Sequence, residues 1–277
     1  MTNINPVFYD TLIKKIKIIR FCFLLGALFV IAFLFFLTYL DISEKKAVFL
    51  CVMLLASFLY IEKFLSHRFS KNILKQIKLA HNWGYDKNLK NDSWNFMADL
   101  KKFQLCADNA EYAFTKNLFY GNYSNRNFAF YSLTIPFRKN ETSDYLLIKT
   151  DPLPNFDKVI LIKPMGEYID ESSAENKLQE IGVNTKGLFL VYTTDAQNSA
   201  EFLSQEFKNA LVEYAEKTDK TISILLTPQG ILCAKNFDYK EKPSLLFSSA
   251  EKYVAKYWQS TDNFIRLLDI INLLERE

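Results

Sequence analysis

The sequence predicts an α+β membrane protein. It begins with a two-helix transmembrane hairpin and a stalk helix, which carry a cytoplasmic domain with a mainly antiparallel sheet and a β-α-β-β unit. Three patterns support this prediction: a charge-free apolar run at 21–40, strand-like alternation at 128–137, and a strand, helix, strand, strand succession at 188–235. The predicted parts are the hairpin at 1–65, the stalk helix at 66–85 and the cytoplasmic α+β domain at 86–277.

The first predicted span is the run of twenty uncharged residues at 21–40. At about 1.5 Å per residue, a helix of that length crosses a hydrocarbon core of about 30 Å. A short polar loop at 41–46 leads into a second apolar run at 47–61, which a snorkelling lysine extends to residue 65. Glu62 is either an intramembrane carboxylate with a role or, as we prefer, a boundary residue at the lipid surface.

The positive charge of the chain is concentrated at its membrane end. The formal net charge is +3, and residues 1–65 alone carry seven basic and four acidic side chains. Beyond residue 80 the acidic side chains outnumber the basic ones, so the distal domain gives no electrostatic support for nucleic-acid binding. Because basic residues are most numerous before the first span and after the second, both termini are predicted to be cytoplasmic.

The stalk is predicted to be an amphipathic helix that continues from the second span. Phe69, Ile73 and Ile77 recur at helical spacing on one face. The basic residues of the other face either bind anionic lipid or provide only the positive-inside signal on a solvated surface. Gly84 is predicted to end this helix as its C-cap. The basic residues in question are Arg68, Lys71, Lys75 and Lys78.

After the stalk, the sequence predicts one helix followed by an antiparallel meander. Ser93 as N-cap, with Phe96, Leu100 and Phe103 on one face, predicts a helix between 92 and 108. The segments that follow are rich in β-branched and aromatic residues and are separated by Asn, Ser, Gly and Pro turns. The predicted strands are 111–116, 119–123, 128–137, 145–150 and 159–163.

The most regular pattern follows in the C-terminal third. Asp195 is the predicted N-cap of one helix whose apolar face includes Leu203 and Phe207. A Pro-containing turn joins the two strands after that helix. The predicted elements are a strand at 188–192, the helix after Asp195, strands at 221–226 and 231–235 joined by a turn at 227–230, and a last helix from about Asp262.

No motif in the sequence specifies a catalytic, cofactor-binding or metal-binding site, and we predict none. There is no C-x-x-C, the two histidines are too few for a zinc site, and the seven glycines form no phosphate-binding loop. The cysteines are interpreted as small apolar side chains and the histidines as exposed stalk residues. These residues are Cys22, Cys51, Cys106, Cys233, His67 and His81.

Carboxylates are the side chains in this sequence that are candidates for catalysis. Asp170 and Glu171 are adjacent in the sequence, and Asp195 stands where a strand turns into a helix, a common place for ligand groups in α/β folds. General acid and base catalysis needs such carboxylates paired in a cleft. Asp195 is nevertheless sufficiently explained as a helix cap, and the segment at 170–178 also has the pattern of a helix start.

The layout resembles a bacterial family of uncharacterised membrane proteins, the domain of unknown function three-one-three-seven. The resemblance lies in the stretches Gly187-Leu-Phe-Leu-Val-Tyr-Thr-Thr-Asp-Ala, Ala200-Glu-Phe-Leu and Thr221-Ile-Ser-Ile-Leu-Leu, and in the Leu-x-x-x-Phe pattern of Leu203 and Phe207. It covers residues 187–274 and implies a multi-pass protein of the bacterial inner membrane. It brings no catalytic residues.

Two functional hypotheses follow. The first is a membrane-anchored binding or scaffolding module, with the lipid bilayer, a protein partner or further copies of itself as its partners and no nucleic acid. The alternative is a membrane-tethered enzyme that acts through Asp170, Glu171 and Asp195. The absence of a site motif beside an elaborate anchor favours the first hypothesis.

Overall fold

The computed structural model contains six α-helices and eight strands among the residues that it describes. The helices are α1 (Pro6–Tyr39), α2 (Glu44–His81), α3 (Phe96–Lys102), α4 (Ala196–Phe202), α5 (Gln205–Thr218) and α6 (Ala250–Asn272), and a 3₁₀ turn (Leu273–Glu275) follows α6. The strands are β1 (Phe114–Tyr123), β2 (Arg126–Arg138), β3 (Glu141–Thr150), β4 (Ile160–Pro164), β5 (Gln179–Ile181), β6 (Phe189–Thr193), β7 (Ser223–Thr227) and β8 (Gly230–Phe237). The described residues are 6–39, 44–84, 96–105, 114–138, 141–166, 178–218, 222–237, 245 and 248–275.

The chain is an α+β protein that divides into two compact units. The first unit comprises Met1–His81 and Lys242–Asp262, and the second comprises Asn82–Glu241 and Asn263–Glu277. The predicted stalk thus belongs to the first unit as far as His81, together with a segment from near the C-terminus.

In the first unit, α1 and α2 contain stretches that are long and apolar enough to cross a membrane. These stretches, Tyr9–Phe33 and Val48–His81, are compatible with membrane association by length and composition. Their most apolar parts are almost unburied, which separates them from the core helices of soluble proteins. The two helices contact each other through the rings of Phe23 and Phe58, whose centroids are 5.4 Å apart.

Among the residues of α1 and α2 whose side chains are described, the buried ones lie outside the uncharged runs. In α1 they are Leu12, Ile13 and Ile16, before the run that begins at residue 21. In α2 they begin at Phe69, after the run that ends near residue 65. The remaining buried residues of α2 are Ile73 and Ile77, the apolar face predicted for the stalk, and the buried residues of the α6 start are Ala250, Tyr253 and Val254.

The second unit is built on an eight-stranded sheet of order β1-β2-β3-β8-β7-β4-β6-β5. Every neighbouring pair is antiparallel. The first three strands form the predicted meander, but β4 lies between β7 and β6, because the pairing there is long-range and no local pattern specifies it. Strands β4, β6 and β7 are buried along their whole lengths, so both faces of the sheet are covered at its centre.

One face of the sheet packs against α3. Its core cluster combines Phe96, Leu100 and Phe103 with inward-facing residues of β2, β3, β4, β6, β7 and β8. On the opposite face, Lys235 of β8 donates a hydrogen bond to the hydroxyl of Tyr214 on α5, at 3.3 Å. Helix α5 therefore lies on the side of the sheet away from α3, since Ala234, next to Lys235, belongs to the α3 cluster.

An aromatic cluster covers the β1–β2 end of the second face. Trp83, directly after α2, contacts the rings of Phe128 and Phe264 at 5.1 Å and 5.5 Å between centroids. Phe264 lies on α6 and also contacts Phe130 at 4.6 Å. The alternation at 128–137 indicates a strand with one buried face, whereas both faces of β2 are buried near Phe128 because this cluster covers the second face.

The end of α2 differs from the prediction. Asn82 has a φ of 55° and occupies the left-handed position that follows the helix, so Gly84 is not its C-cap. Gly84 instead pairs with the edge strand β1, where its N–H donates to the Tyr120 carbonyl at 2.7 Å. A Cβ at position 84 would lie 2.2 Å from Cζ of Tyr120, so a larger residue there requires the half-exposed Tyr120 ring to move.

Further elements differ from the predictions. Strand β3 begins four residues before the predicted strand at 145–150, and β5 was not predicted. The strands predicted at 111–116 and 119–123 form the single strand β1, which has a bulge between Asn117 and Phe119. The helix predicted between 92 and 108 is the shorter α3 in the described residues, and its predicted cap Ser93 lies outside them. Two further differences concern α5 and α6.

The helix predicted after Asp195 is two helices, because Ser204 interrupts it. The Ser204 hydroxyl accepts a hydrogen bond from the Phe207 N–H at 3.1 Å and caps α5. The last helix begins at Ala250, twelve residues before the predicted start. Ser249 caps it by accepting from the Lys252 N–H at 3.0 Å, a signal that the prediction missed.

Candidate functional site

An open cleft of about 440 Å³ lies on the second unit. Three elements line it: α3, the residue before β4, and the turn between β7 and β8. Its apolar surface comes from Phe103, Val159 and Pro228, while Asp99 and Lys102 bring one charge of each sign. The remaining lining residues are Thr227 and Gln229.

The β7–β8 turn is held in place by its own hydrogen bonds. The Thr227 hydroxyl donates to the Gly230 carbonyl at 3.0 Å and accepts from the Gln229 N–H at 3.2 Å. Gly230 has a φ of 153°, in the region that favours glycine. Pro228 and Gln229 are exposed at the tip, so this side of the cleft presents a preorganised surface.

Helix α3 is anchored to the sheet by a buried lysine. Gln104, after the last turn of α3, has a φ of 49° and is the left-handed residue that ends the helix. The Lys163 ammonium donates to the Gln104 carbonyl at 2.9 Å, and Lys163 is only 4% exposed. A cation at a helix C-terminus is favourable, because the carbonyl ends carry partial negative charge. Lys163 thus positions the helix that supplies Asp99 and Lys102 to the cleft.

The start of β4 connects the cleft with Asp195. The Val159 N–H donates to the Thr194 hydroxyl at 3.2 Å, and the Thr194 N–H donates to the Val159 carbonyl at 3.1 Å. Beside them the Lys158 ammonium and the Asp195 carboxylate form an ion pair at 2.9 Å, with side-chain exposures of 25% and 32%. This ion pair and the β7–β8 turn lie at the same end of the strands, because Ile160 pairs with Leu226 of β7 and with Thr193 of β6.

Asp195 lies immediately before α4, as the sequence predicted. Its backbone carbonyl accepts from the Ser199 N–H at 3.2 Å, so the helix begins at this residue. The buried hydroxyls of Thr193 and Ser199 are 2.7 Å apart and join β6 to α4. Asp170 and Glu171 lie outside the described residues, so the proposed carboxylate grouping of the enzyme hypothesis stays a prediction.

The described cysteines and histidines do not form a site. Cys233 is buried, and burial raises the pKa of its thiol to about 12, which favours the neutral, unreactive form. Cys22 is exposed on α1 and His67 is exposed on α2, whereas His81, which was predicted to be exposed, is half-buried. Cys106 lies outside the described residues. Within the described ranges, no group of three or more His, Cys, Asp or Glu side chains could hold a metal ion.

Sequence reasoning missed two buried basic residues that organise the second unit. Lys163 could have been found, because it is the one charged residue in the otherwise apolar strand Ile160-Leu-Ile-Lys-Pro. The other is Arg126, which is 4% exposed and donates from Nη1 to the Asp151 carbonyl at 3.0 Å. In both cases the sequence shows a basic residue without an evident partner, and the structure shows that this residue is buried.

Comparison with known proteins gives one structural likeness. Neither a family model nor a curated protein matches the chain. The crystal structure of the mycobacterial trehalose monomycolate transport factor A matches it with 13% sequence identity and a TM-score of 0.41. That match covers 72% of this chain and 93% of the other.

Proposed function

We propose that this chain is a membrane-anchored module that binds a protein partner, or further copies of itself, at the cytoplasmic face of a bacterial inner membrane. Helices α1 and α2 form its transmembrane hairpin, with both termini in the cytoplasm. One observation supports this proposal: the boundary between buried and exposed apolar side chains coincides with the boundary between charged and uncharged sequence. In both helices the change from buried to exposed apolar side chains falls where the charges stop.

In α1 this boundary lies at Arg20. The buried residues before it share the helix with exposed lysines, as in an amphipathic helix on a protein surface. After it no charge occurs up to residue 40, yet the large side chains are exposed. Phe29 is 72% exposed and Phe35 is 73% exposed. Such an exposed apolar surface is stable in lipid and unfavourable in water.

In α2 the same change occurs in the opposite order. Val48, Met53 and Leu59 are more than half exposed, and burial begins only at Phe69. The basic residues of α2 after residue 65 lie on the side of the boundary where burial resumes. Positive charge on the outer ends of both helices favours a cytoplasmic location of those ends. The basic face of the stalk contacts anionic lipid in this arrangement.

The cleft of the second unit is the proposed partner site. We interpret β6, the helix divided into α4 and α5, and the β7–β8 hairpin as the predicted β-α-β-β unit, although β4 lies between β6 and β7 in the sheet. Its β7–β8 turn supplies Pro228 to this cleft. Its apolar surface, with one carboxylate and one ammonium at the side, suits a peptide segment with an apolar residue beside polar ones. Asp99 and Lys102 make one side of this surface polar, which favours a partner with polar groups beside its apolar residue.

Site-specific photo-cross-linking in living cells tests this function. A photoreactive amino acid is placed in the cleft at Lys102 or Gln229, and at the exposed positions Glu201 or Asn209 as controls. The proposal predicts a discrete adduct of one mass from the cleft positions and none from the controls. Co-expression of two differently tagged copies identifies a self-adduct. Equal, diffuse labelling from all four positions would contradict a binding function for the cleft.

A further inference from the structure

We propose that the start of α6 lies on the membrane surface and forms, with the adjoining ends of α1 and α2, a face for anionic phospholipid headgroups. This inference rests on the proposed membrane-spanning hairpin. It adds a third membrane contact, far from the hairpin in sequence, to the stalk contact described above. All the contacts on which this proposal is based join residues of the first unit.

Three side-chain contacts place the start of α6 at the level where the apolar runs meet the charged residues. Arg20, the last charge before the first run, donates from Nε to the Leu245 carbonyl at 2.7 Å. Leu245 is completely buried. The backbone just before α6 is therefore fixed beside the residue at which the proposed first span begins.

The second contact is made to α2. The hydroxyl of Tyr253 lies 3.2 Å from that of Ser66 and donates to the Ser66 carbonyl at 3.4 Å. Ser66 directly follows the apolar stretch that ends at residue 65. Tyr253 is fully buried, so this contact belongs to a packed interface rather than to a mobile surface side chain.

The third contact is the ion pair between the Lys17 ammonium and the Glu251 carboxylate, at 2.7 Å. Lys17 lies one helical turn before Arg20 on α1. The first turn of α6 is thus attached to both long helices at residues next to the proposed spans. A segment held at that level faces the headgroup layer of the bilayer.

The charge of this surface indicates that its ligand is an anion. Glu251 is engaged by Lys17, whose contact is the largest cause of the lowered pKa of that carboxyl. Several other cations at this level are exposed, so the surface attracts anions. Because the surface continues from the proposed spans, its occupant is the anionic phospholipid of the same leaflet. The exposed cations are Lys14, Lys15, Lys63, Arg68 and Lys252.

Hydrogen exchange of the full-length chain in lipid nanodiscs tests this inference. One nanodisc contains phosphatidylcholine alone, and the other contains phosphatidylcholine with phosphatidylglycerol. Exchange in the first turns of α6, at residues 250–255, is expected to be about fivefold slower with phosphatidylglycerol, the change that one basic group at an anionic surface corresponds to. The double variant Lys14→Glu/Lys252→Glu removes that difference, while Lys101→Glu on α3 keeps it.

Equal exchange of α6 in the two nanodiscs, or a difference that persists in the double variant, would overturn the headgroup face. Alkaline extraction of native membranes separates this outcome from failure of the proposed function. A chain that stays in the membrane pellet but shows no lipid dependence retains its anchor and loses only the α6 contact. A chain released by alkali has no spanning hairpin, and both proposals fail together.

Discussion

The uncharged runs of α1 and α2 and the central strands of the sheet both consist mainly of apolar residues, but the side chains of the runs are exposed and those of the strands are buried. Leu28 of α1 is 54% exposed, whereas Leu225 of β7 is completely buried. The strands are covered by helices on both faces. In the described residues, the most apolar parts of the two helices leave almost all of their side chains unburied. Similar residues are thus stabilised by protein packing in one region and, in our account, by lipid in the other.

This difference shows that burial, rather than hydrophobicity alone, distinguishes the core from the proposed anchor. Both regions are hydrophobic, but only the proposed anchor combines apolar side chains with high exposure and an absence of charge. Within α1 and α2 the two behaviours meet in one continuous helix. Making the same type of substitution in each region tests whether the two differ in what stabilises them.

The largest effect is expected from truncating a leucine in the sheet. Leu232 is completely buried in the core cluster, so Leu232→Ala is expected to destabilise the second unit by about 2–5 kcal/mol. The matched change Leu28→Ala removes no packed contact of that unit and is expected to stay within about 0.5 kcal/mol. Urea unfolding of the detergent-solubilised chain, followed by pulse proteolysis, measures both. Equal losses would abolish the distinction between the two regions.

A charge in the middle of α1 tests the lipid side of the comparison. Phe29→Arg is expected to disfavour membrane insertion by about 2.5–3.5 kcal/mol, the cost of a charge at the centre of a span. Phe29→Leu is the matched control and is expected to insert normally. The fraction of chain resistant to alkaline extraction reports insertion. Unchanged extraction of the arginine variant would show that this stretch of α1 does not lie in the hydrocarbon core.

The anchoring of α3 by Lys163 gives a smaller effect that is confined to the second unit. Lys163→Ala removes the donor to the Gln104 carbonyl and leaves space in a buried site, so a loss of about 1–3 kcal/mol is expected. Hydrogen exchange of the α3 amides should also become faster. Lys101→Ala, on the exposed side of the same helix, serves as control. If both variants exchange alike, Lys163 does not position the cleft.

The smallest predicted effect concerns the hydrogen bond from the Tyr123 hydroxyl to the Asp269 carboxylate, at 2.6 Å. Burial and this carboxylate raise the pKa of Tyr123 to about 12. The unfolded chain loses the phenolic proton near pH 10, so this contribution is complete below pH 10 and is lost as the pH rises toward 12.

Tyr123→Phe is expected to cost about 0.5–1.5 kcal/mol at pH 8. Its deficit relative to the unsubstituted chain should shrink at pH 11. Urea midpoints at the two pH values measure the deficit, with Tyr120→Phe at an exposed position as control. A deficit that is the same at both pH values would remove the proposed role of this phenol.

The sequence could predict elements whose cause is local. The uncharged runs, the amphipathic stalk, the alternation in β2 and the Thr227–Gly230 turn each lie within one continuous segment of the sequence. The predicted α+β class with a sheet domain is confirmed. The placement of β4 between β7 and β6 could not be predicted, because it depends on pairings between distant segments. The early start of α6 was missed although Ser249 marks it.

The site was predicted less completely than the fold. Asp195 was found because strand-to-helix turns are local, but its partner Lys158 lies 37 positions earlier and becomes adjacent only through strand pairing. The cleft combines segments around residues 99, 159 and 228, which no sequence period connects. Lys163 acts through a backbone carbonyl, a partner that carries no sequence signal.

The most direct test of the account is the topology of the hairpin, measured with paired alkaline phosphatase and green fluorescent protein fusions after residue 43 and at the C-terminus. We predict phosphatase activity and no fluorescence from the fusion in the loop, and fluorescence without phosphatase activity at the C-terminus. Phosphatase activity at the C-terminus, or fluorescence from the loop fusion, would contradict a hairpin with both termini in the cytoplasm.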